Sequence, residues 1–522
     1  MLPFNFIRKE NDNMKSVEPQ GELYLCSTPL ENDYNNELTF NNLNSQLAYF
    51  NSTIKHTLDN YTYIRKESII NVGLNIDDII NCNYLFYKNK GFTEKYYFCF
   101  ITNMEFINEN CTAIKIETDC FQTWQFDLVY KPSFVEREHV NNDEVGINTV
   151  PENVELGEYV VNEHIKDNYN NDTTIITGAT VGPSDLETFT IGKYNGITSG
   201  CEYCRWDNDN FNALKSFLAN LDSQGKKDAL LSMFIAPKWL APINGTVYVT
   251  QTTEPAHFDI GISKINNLNG YIPKNNKLFT YPYCYINVSN NSGQSIVLNQ
   301  ELWNTTDNLM KLRVYGCLSP GCSMRALPLN YKNDSIRWEE GVSCGKYPQL
   351  NWSSSQYTNW LAQNGINIGL STAGALLSTG VGIATNNPIG TASGLLAIGQ
   401  SIGQVSQHSL IPNSVSGNLN SGDVTVATGE NRIHMYKMTI KEEYAKIIDD
   451  YFTMFGYKVN KLKVPNITSR SNWNYVKTID VNIDGDIPQN DLNIIKGIFN
   501  KGITLWHNPN TMYDYSQNNE IV

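Results

Sequence analysis

Between Lys346 and Asp423 the chain carries no Asp, Glu, Lys or Arg, and this interval limits the possible folds more than any other feature. A run with so few strongly hydrated side chains must find an apolar partner in the protein or a lipid. Its middle reads GINIGLSTAGALLSTGVGIA, TNNPIG, TASGLLAIGQSIGQV, two apolar arms joined by a turn at Asn386, Asn387 and Pro388. At about 1.5 Å of rise per residue, the first arm of about 20 residues just spans a hydrocarbon core of about 30 Å. Leu370, Leu376, Leu377, Val381 and Ile383 supply the bulk of the first arm, and Leu395, Leu396 and Ile398 that of the second. Gly365 with Gly369, Gly390 with Gly394, and Gly399 with Gly403 repeat the small-residue spacing that lets helix backbones approach closely in lipid. Gly, Ser and Asn also dilute the hydrophobicity, so direct insertion would be marginal. Three uses stay open on the residues alone: a conditional membrane-active hairpin, a plug or buried hairpin, and a membrane anchor. Glycine this frequent argues against a packed core. The missing Lys/Arg flank and aromatic belt argue against an anchor.

The remainder reads as mainly β with some α. Charged residues are only 18%, and the polarity comes from Asn, Ser, Thr and Tyr, which favour strands and turns over long surface helices. Across residues 1–165, KYYFCFITNMEFI alternates with both faces apolar, as in a strand covered on two sides, and TAIKIET repeats the period. Residues 166–270 change texture and read as an inserted domain with one amphipathic helix, striped by Phe211, Leu214, Leu218 and Leu221 and stopped at Gly225. Strands resume over 271–346, where NNSG marks a hairpin turn. The charge-free part is bounded at 347–422, and 423–522 adds two helices among strands. One places Tyr444, Ile448, Tyr451 and Phe455 on a face and ends at Gly456; the other places Leu492, Ile495 and Phe499 together, starts from Asn490 or Asp491 and ends at Gly502.

A net charge of −14 excludes a protein built to grip nucleic acid, which needs clustered cations. The eleven cysteines sit mostly in apolar strands and read as reduced and buried. The N-terminus has no hydrophobic signal region, so synthesis in a cytosol is expected. Cys201 and Cys204 form a CxxC, but Cys317 and Cys322 are wrongly spaced to complete a zinc site. DVNIDGDIPQND, with Asp480, Asn482, Asp484, Gly485 and Asp491, has the outline of a calcium loop, yet it follows a strand and ends in Asp. It reads more simply as an Asx-rich turn. The seven histidines show no ligand or triad spacing; His139 and His507 read as structural. No catalytic motif is present. No catalytic, cofactor or metal residue is assigned.

Four ordered blocks carry a resemblance: TPLENDYNNELTF, with Pro29, Asp33, Tyr34 and Asn36; DCFQTWQFDLVYKPSFVEREHV; KLFTYPYCYI; and GYKVNKLKVPN followed by NYVKT and DGDIPQNDLNIIKGIFNKGITLWH. The chain resembles the tail-knob, or distal tail tube, proteins of small podophages, the phi-twenty-nine-like picoviruses. The resemblance spans nearly the whole chain, weakest over 166–270. It implies a structural protein of the virion tail, not an enzyme, made in the host cytoplasm. The implied fold has tail-tube-like β domains (1–165, and 271–346 with 423–522), an inserted knob domain (166–270) and a long hydrophobic helical-hairpin loop (347–422). It also implies a homohexamer whose loops plug the lumen and then enter the host cell membrane as a channel for genome ejection. Implied partners are a lower collar or tail tube protein, a tail-tip cell-wall hydrolase, and viral DNA that passes without specific binding.

Overall fold

The alternation in KYYFCFITNMEFI becomes the strand Tyr96–Asn108 in a computed structural model that describes residues 21–59, 61–64, 66–89, 95–167, 173–290, 293–305, 308–319, 324–344, 349–351 and 433–522. The charge-free hairpin, with every residue singled out from Gly365 to Gly403, lies outside the described residues. The chain divides into two units, residues 1–154 with 447–522 and residues 155–446.

In the first unit that strand is central to a seven-stranded antiparallel sheet, ordered Ile54–Leu58, Gly21–Cys26, Tyr84–Asn89, Tyr96–Asn108, Cys111–Thr118, Ile69–Val72, Tyr61–Ile64. Both faces of the strand are covered along its first half, as the alternation requires, while from Thr102 onward it is half-buried or exposed. Tyr84, Phe86 and Phe98 meet Phe50 on one side, with ring centroids 4.7 Å apart for Phe50–Phe98 and 5.4 Å for Phe50–Tyr84, and Phe100 packs edge-on against Tyr84. Leu23, Leu25, Leu85, Cys99, Ile114 and Ile116 form a second core on the other.

A five-stranded sheet follows, ordered Asn36–Leu38, Ile503–Trp506, Trp473–Ile479, Ser133–Glu138, Tyr457–Lys463. Its parallel pair joins the two ends of the described chain, Asn36 lying opposite Thr504. Helix Gln489–Lys501 buries Leu492, Ile495, Ile498 and Phe499, the expected stripe, and stops at Gly502 with φ +103°. Its capping position is Pro488 rather than Asn490 or Asp491, because Asp491 is engaged elsewhere: it accepts a hydrogen bond from Trp124 Nε1 at 2.8 Å. Helix Glu442–Phe455 buries Ala445, Ile448 and Phe452, while Tyr444, Tyr451 and Phe455, expected to face inward, are half-buried. It ends at Gly456, whose φ is +63° and whose added Cβ would lie 2.2 Å from the Glu138 carbonyl oxygen. Only glycine fits there.

A group of buried polar side chains in this unit is hydrogen-bonded together. Asp119 caps helix Cys120–Trp124 and accepts from the Gln122 N–H at 2.9 Å and the Tyr84 hydroxyl at 2.8 Å, while Gln122 Nε2 donates to Glu37 at 2.8 Å. Burial raises both carboxyls above their ordinary range. His139 is structural as expected: its Nδ1 accepts from the Tyr475 N–H at 2.7 Å and its Nε2 lies 3.1 Å from the Thr453 carbonyl. Burial lowers His139 to about 3 and His507 to about 4.

The second unit has three larger sheets around one hydrophobic core. That core takes residues from Ile175 to Met435, so residues of 166–270 share it with later parts of the chain. Strand Leu230–Pro237 pairs with Gln349–Asn351, and His257–Ser263 with Leu309–Gly316, which ties the two parts together. At the end of the chain, residues from 447 onward belong to the first unit. Helix Phe211–Ser223 buries Leu214, Phe217 and Leu221 with Leu218 at the margin. Gly225 closes it at φ +65°, and the Lys226 N–H donates to the Leu221 carbonyl at 2.8 Å, the bond pattern of a Schellman stop.

Candidate functional site

With the charge-free segment itself outside the described residues, the site is its frame: the described residues that precede and follow it in sequence, Gln349–Asn351 and the run from Ile433. Before it, Gln349–Asn351 is an edge strand at the end of the order Glu202–Trp206, Thr173–Ala179, Leu230–Pro237, Gln349–Asn351. The register is antiparallel, with Leu350 opposite Met233 and Asn351 opposite Ser232.

The described chain resumes at Ile433, which is fully buried. Its N–H donates to the Asp167 carboxylate, and its carbonyl accepts from the Asp167 N–H at 3.1 Å. From there His434–Ile440 runs between Tyr159–Lys166 and Cys284–Ser289, with Ser295–Leu298 beyond. A strand hydrogen-bonded on both sides is the firmest attachment a sheet offers. On its inner side Met435 and Thr439 are fully buried, and between them Lys437 Nζ donates to Ser263 Oγ at 2.7 Å and pairs with Glu163 at 2.6 Å.

The outer side of this sheet is aromatic and poor in charge. His164 lies opposite Tyr436, their rings parallel at 4.4 Å, and His164 Nε2 lies 3.0 Å from His434 Nδ1, so one imidazole donates and the other accepts. Tyr159 meets Tyr285 edge-on at 5.2 Å, and Val161 and Val297 are each 52% exposed. The histidine pair was not foreseen. Its members are separated by 270 positions, and no local spacing reports a pairing between strands that far apart.

None of the other constellations converges. Cys201 and Cys204 are buried; Cys201 Sγ lies 3.1 Å from Ser199 Oγ, and burial raises the Cys204 thiol. Cys317 is half-buried, and Cys322 lies outside the described residues. In the calcium-like turn, Asp484 pairs with Lys131 and Asp491 with Trp124, and Ile483–Gly485 pairs with Leu128–Tyr130. The carboxylates point to separate partners. Among the described residues there is no group of three metal-ligating side chains, and no helix is long and apolar enough to cross a membrane.

Two family profiles match this architecture. Residues 23–129, which hold the seven-stranded sheet, match the N-terminus of the caudoviral major tail protein. The class is therefore that of a phage tail structural protein. Residues 248–520 match the family described as Bacillus phage phi29, Tail knob protein gp9, C-terminal domain, and the chain belongs to that family of short-tailed phage tail knob proteins. It is 26% identical to the tail knob protein gp9 of Bacillus phage B103, over 95% of this chain and 97% of the relative. With that of Bacillus phage phi29 it is also 26% identical, over 95% and 98%. The solved tail knob protein gp12 of bacteriophage C1 shares the fold at a TM-score of 0.64 and 14% identity, covering 96% of this chain and 100% of that one. These relatives are structural tail components, not enzymes.

Proposed function

We propose that the chain assembles as a homohexamer into the distal tube and knob of the tail, where the charge-free segments first plug the lumen and later enter the host membrane as a channel for the genome. The β sheets of the N-terminal unit and those flanking the segment build the tube wall, and residues 166–270 the outer knob. Toward the virion the partner is a lower collar or tail tube protein; toward the cell, a tail-tip cell-wall hydrolase and the host membrane. DNA passes without specific binding, which a chain of net charge −14 favours.

The observation that carries this reading is the pairing of an uncharged, glycine-stepped segment with a frame hydrogen-bonded into sheets at both ends. Such a segment can exchange one apolar environment for another while its attachments stay folded. The driving force is a difference in partition between a closed lumen and lipid, and no bond chemistry is involved. In lipid, helical arms satisfy their own backbone groups and the glycine steps let neighbouring arms pack closely.

Dye release from liposomes tests the reading. The full chain is expected to release dye at neutral pH on vesicle contact, because His408 is the only histidine between Lys346 and Asp423. A chain lacking residues 360–410 is expected to release none while assembling normally. Equal release by both chains, or none by the full chain at any pH, overturns the channel.

A further inference from the structure

We propose that the outer face of one sheet in the second unit binds a sugar ring that carries a carboxylate or a phosphate, held between the aromatic pair Tyr315–Trp338 and the guanidinium of Arg325. The site stands apart from the charge-free segment and does not depend on what that segment does.

The sheet runs His257–Ser263, Leu309–Gly316, Met324–Tyr331, Asp334–Ile336, with Val342–Ser343 also paired to Met324–Tyr331. Phe258, Val314, Ala326 and Val342 lie opposite one another in register, and the last three are buried in the core of the unit. The next row therefore faces outward. It consists of His257, Tyr315, Arg325 and Ser343, again directly opposite one another. His257, Arg325 and Ser343 are exposed, and Tyr315 is half-buried.

The connection between Ile336 and Val342 folds back over this face. The Arg337 N–H donates to the Pro328 carbonyl at 3.0 Å. Trp338 lies nearly parallel to Tyr315, with ring centroids 5.8 Å apart, and His257 is 6.0 Å away on the other side of Tyr315. Trp338 remains 63% exposed. A large ring held open on a partner ring is a platform for another flat or puckered ring. Gly341 lies against Arg325, where any side chain would collide with the guanidinium. Beside the row, Tyr315, Arg325, Ser343, Met324 and Cys344 line an open cavity of about 380 Å³, within the range of small-ligand sites, about 300–1,000 Å³.

Charge defines the ligand. Of the three arginines here, Arg313 is held by Asp259 through two bonds of 2.6 Å, and Arg337 by Asp334 and Glu339 at 2.6 Å each. Lys332 pairs with Glu340. Arg325 has no carboxylate partner among the described residues. One unmatched guanidinium suits one carboxylate or phosphate, which it can take with two parallel bonds. A nucleic-acid strand needs a track of cations along its backbone, and this face offers none. A pyranose meets the remaining demands. Its C–H face packs on the electron-rich face of Trp338, and its hydroxyls reach the polar rim at Ser343 and His257.

Saturation-transfer-difference NMR of sugars with the full chain tests the site. Glucuronic acid and glucose 6-phosphate are the anionic probes and glucose the neutral one. At least one anionic sugar is expected to bind about fivefold more tightly than glucose, the value of one surface charge pair, and the tighter of the two tells carboxylate from phosphate. Trp338→Ala should weaken binding of all three about tenfold. Arg325→Gln should leave glucose binding unchanged and abolish the anionic preference. Both positions are exposed, so unchanged circular dichroism and melting certify folding. No saturable binding of any sugar, or undiminished binding by Trp338→Ala, overturns the proposal. An oligothymidine strand that binds more tightly than either anionic sugar, and loses binding in the same variants, overturns the sugar assignment.

Discussion

The seven-stranded sheet of the first unit and the four-stranded sheet that receives the charge-free segment are built from similar strands and finished differently. The first carries a core on each face, an aromatic one around Phe50 and a second formed by Leu23, Leu85, Cys99 and Ile114. The second buries Met435 and Thr439 inside but leaves Val161 and Val297 half exposed among tyrosine and histidine rings outside. A sheet closed on both faces suits a wall that never changes. A sheet with one open face poor in charge suits the role proposed for the segment that follows Gln349–Asn351, a change of surroundings.

The comparison can be broken by substitution. Phe50→Ala removes a fully buried ring and should cost about 3–5 kcal/mol in chemical denaturation. Gly456→Val forces a branched side chain into a left-handed turn against the Glu138 carbonyl, and should cost on the order of 3 kcal/mol. Acid acts on the same unit. His139 and His507 are held neutral by burial, at about 3 and about 4, below the ordinary histidine value. The unfolded chain therefore binds protons that the folded one refuses, so their contribution is complete above about pH 6.5 and falls as pH drops toward those values. At pH 5 the loss is about 2 kcal/mol for each histidine, and His139→Gln should flatten the acid limb of stability against pH. The smallest effect belongs to the open face: Val161→Ser and Val297→Ser should each shift stability by no more than about 0.5 kcal/mol. A loss of several kcal/mol at Val161 or Val297 would mean the face is closed after all.

Local features were legible in the sequence because their causes are local. The period-two strand at Tyr96–Asn108, the stripe of Leu492, Ile495 and Phe499, and the glycine stops at Gly225, Gly456 and Gly502 follow from backbone geometry within a few residues. Assembly was not legible. Asn36–Leu38 lies beside Ile503–Trp506, and Tyr159–Lys166 beside His434–Ile440, and no short-range pattern encodes which distant strands meet. The change of composition over 166–270 is local and visible in the sequence, whereas the core shared by residues from Ile175 to Met435 depends on strand pairing. Asp491 shows the same limit on a smaller scale. Its position suits a helix cap, yet Trp124, distant in sequence, takes the carboxylate. The frame of the candidate site was hidden for the same reason, although the segment it holds was visible at once from its missing charges.

The central claim is that the segment changes environment while its frame stays folded. Amide hydrogen exchange of the full chain, with and without liposomes, tests it most directly. The account predicts that protection across His434–Ile440 and Cys284–Ser289 stays the same while residues 352–432 gain protection when vesicles are added. Loss of protection in the His434–Ile440 strand, or dye release with no change across 352–432, would contradict it.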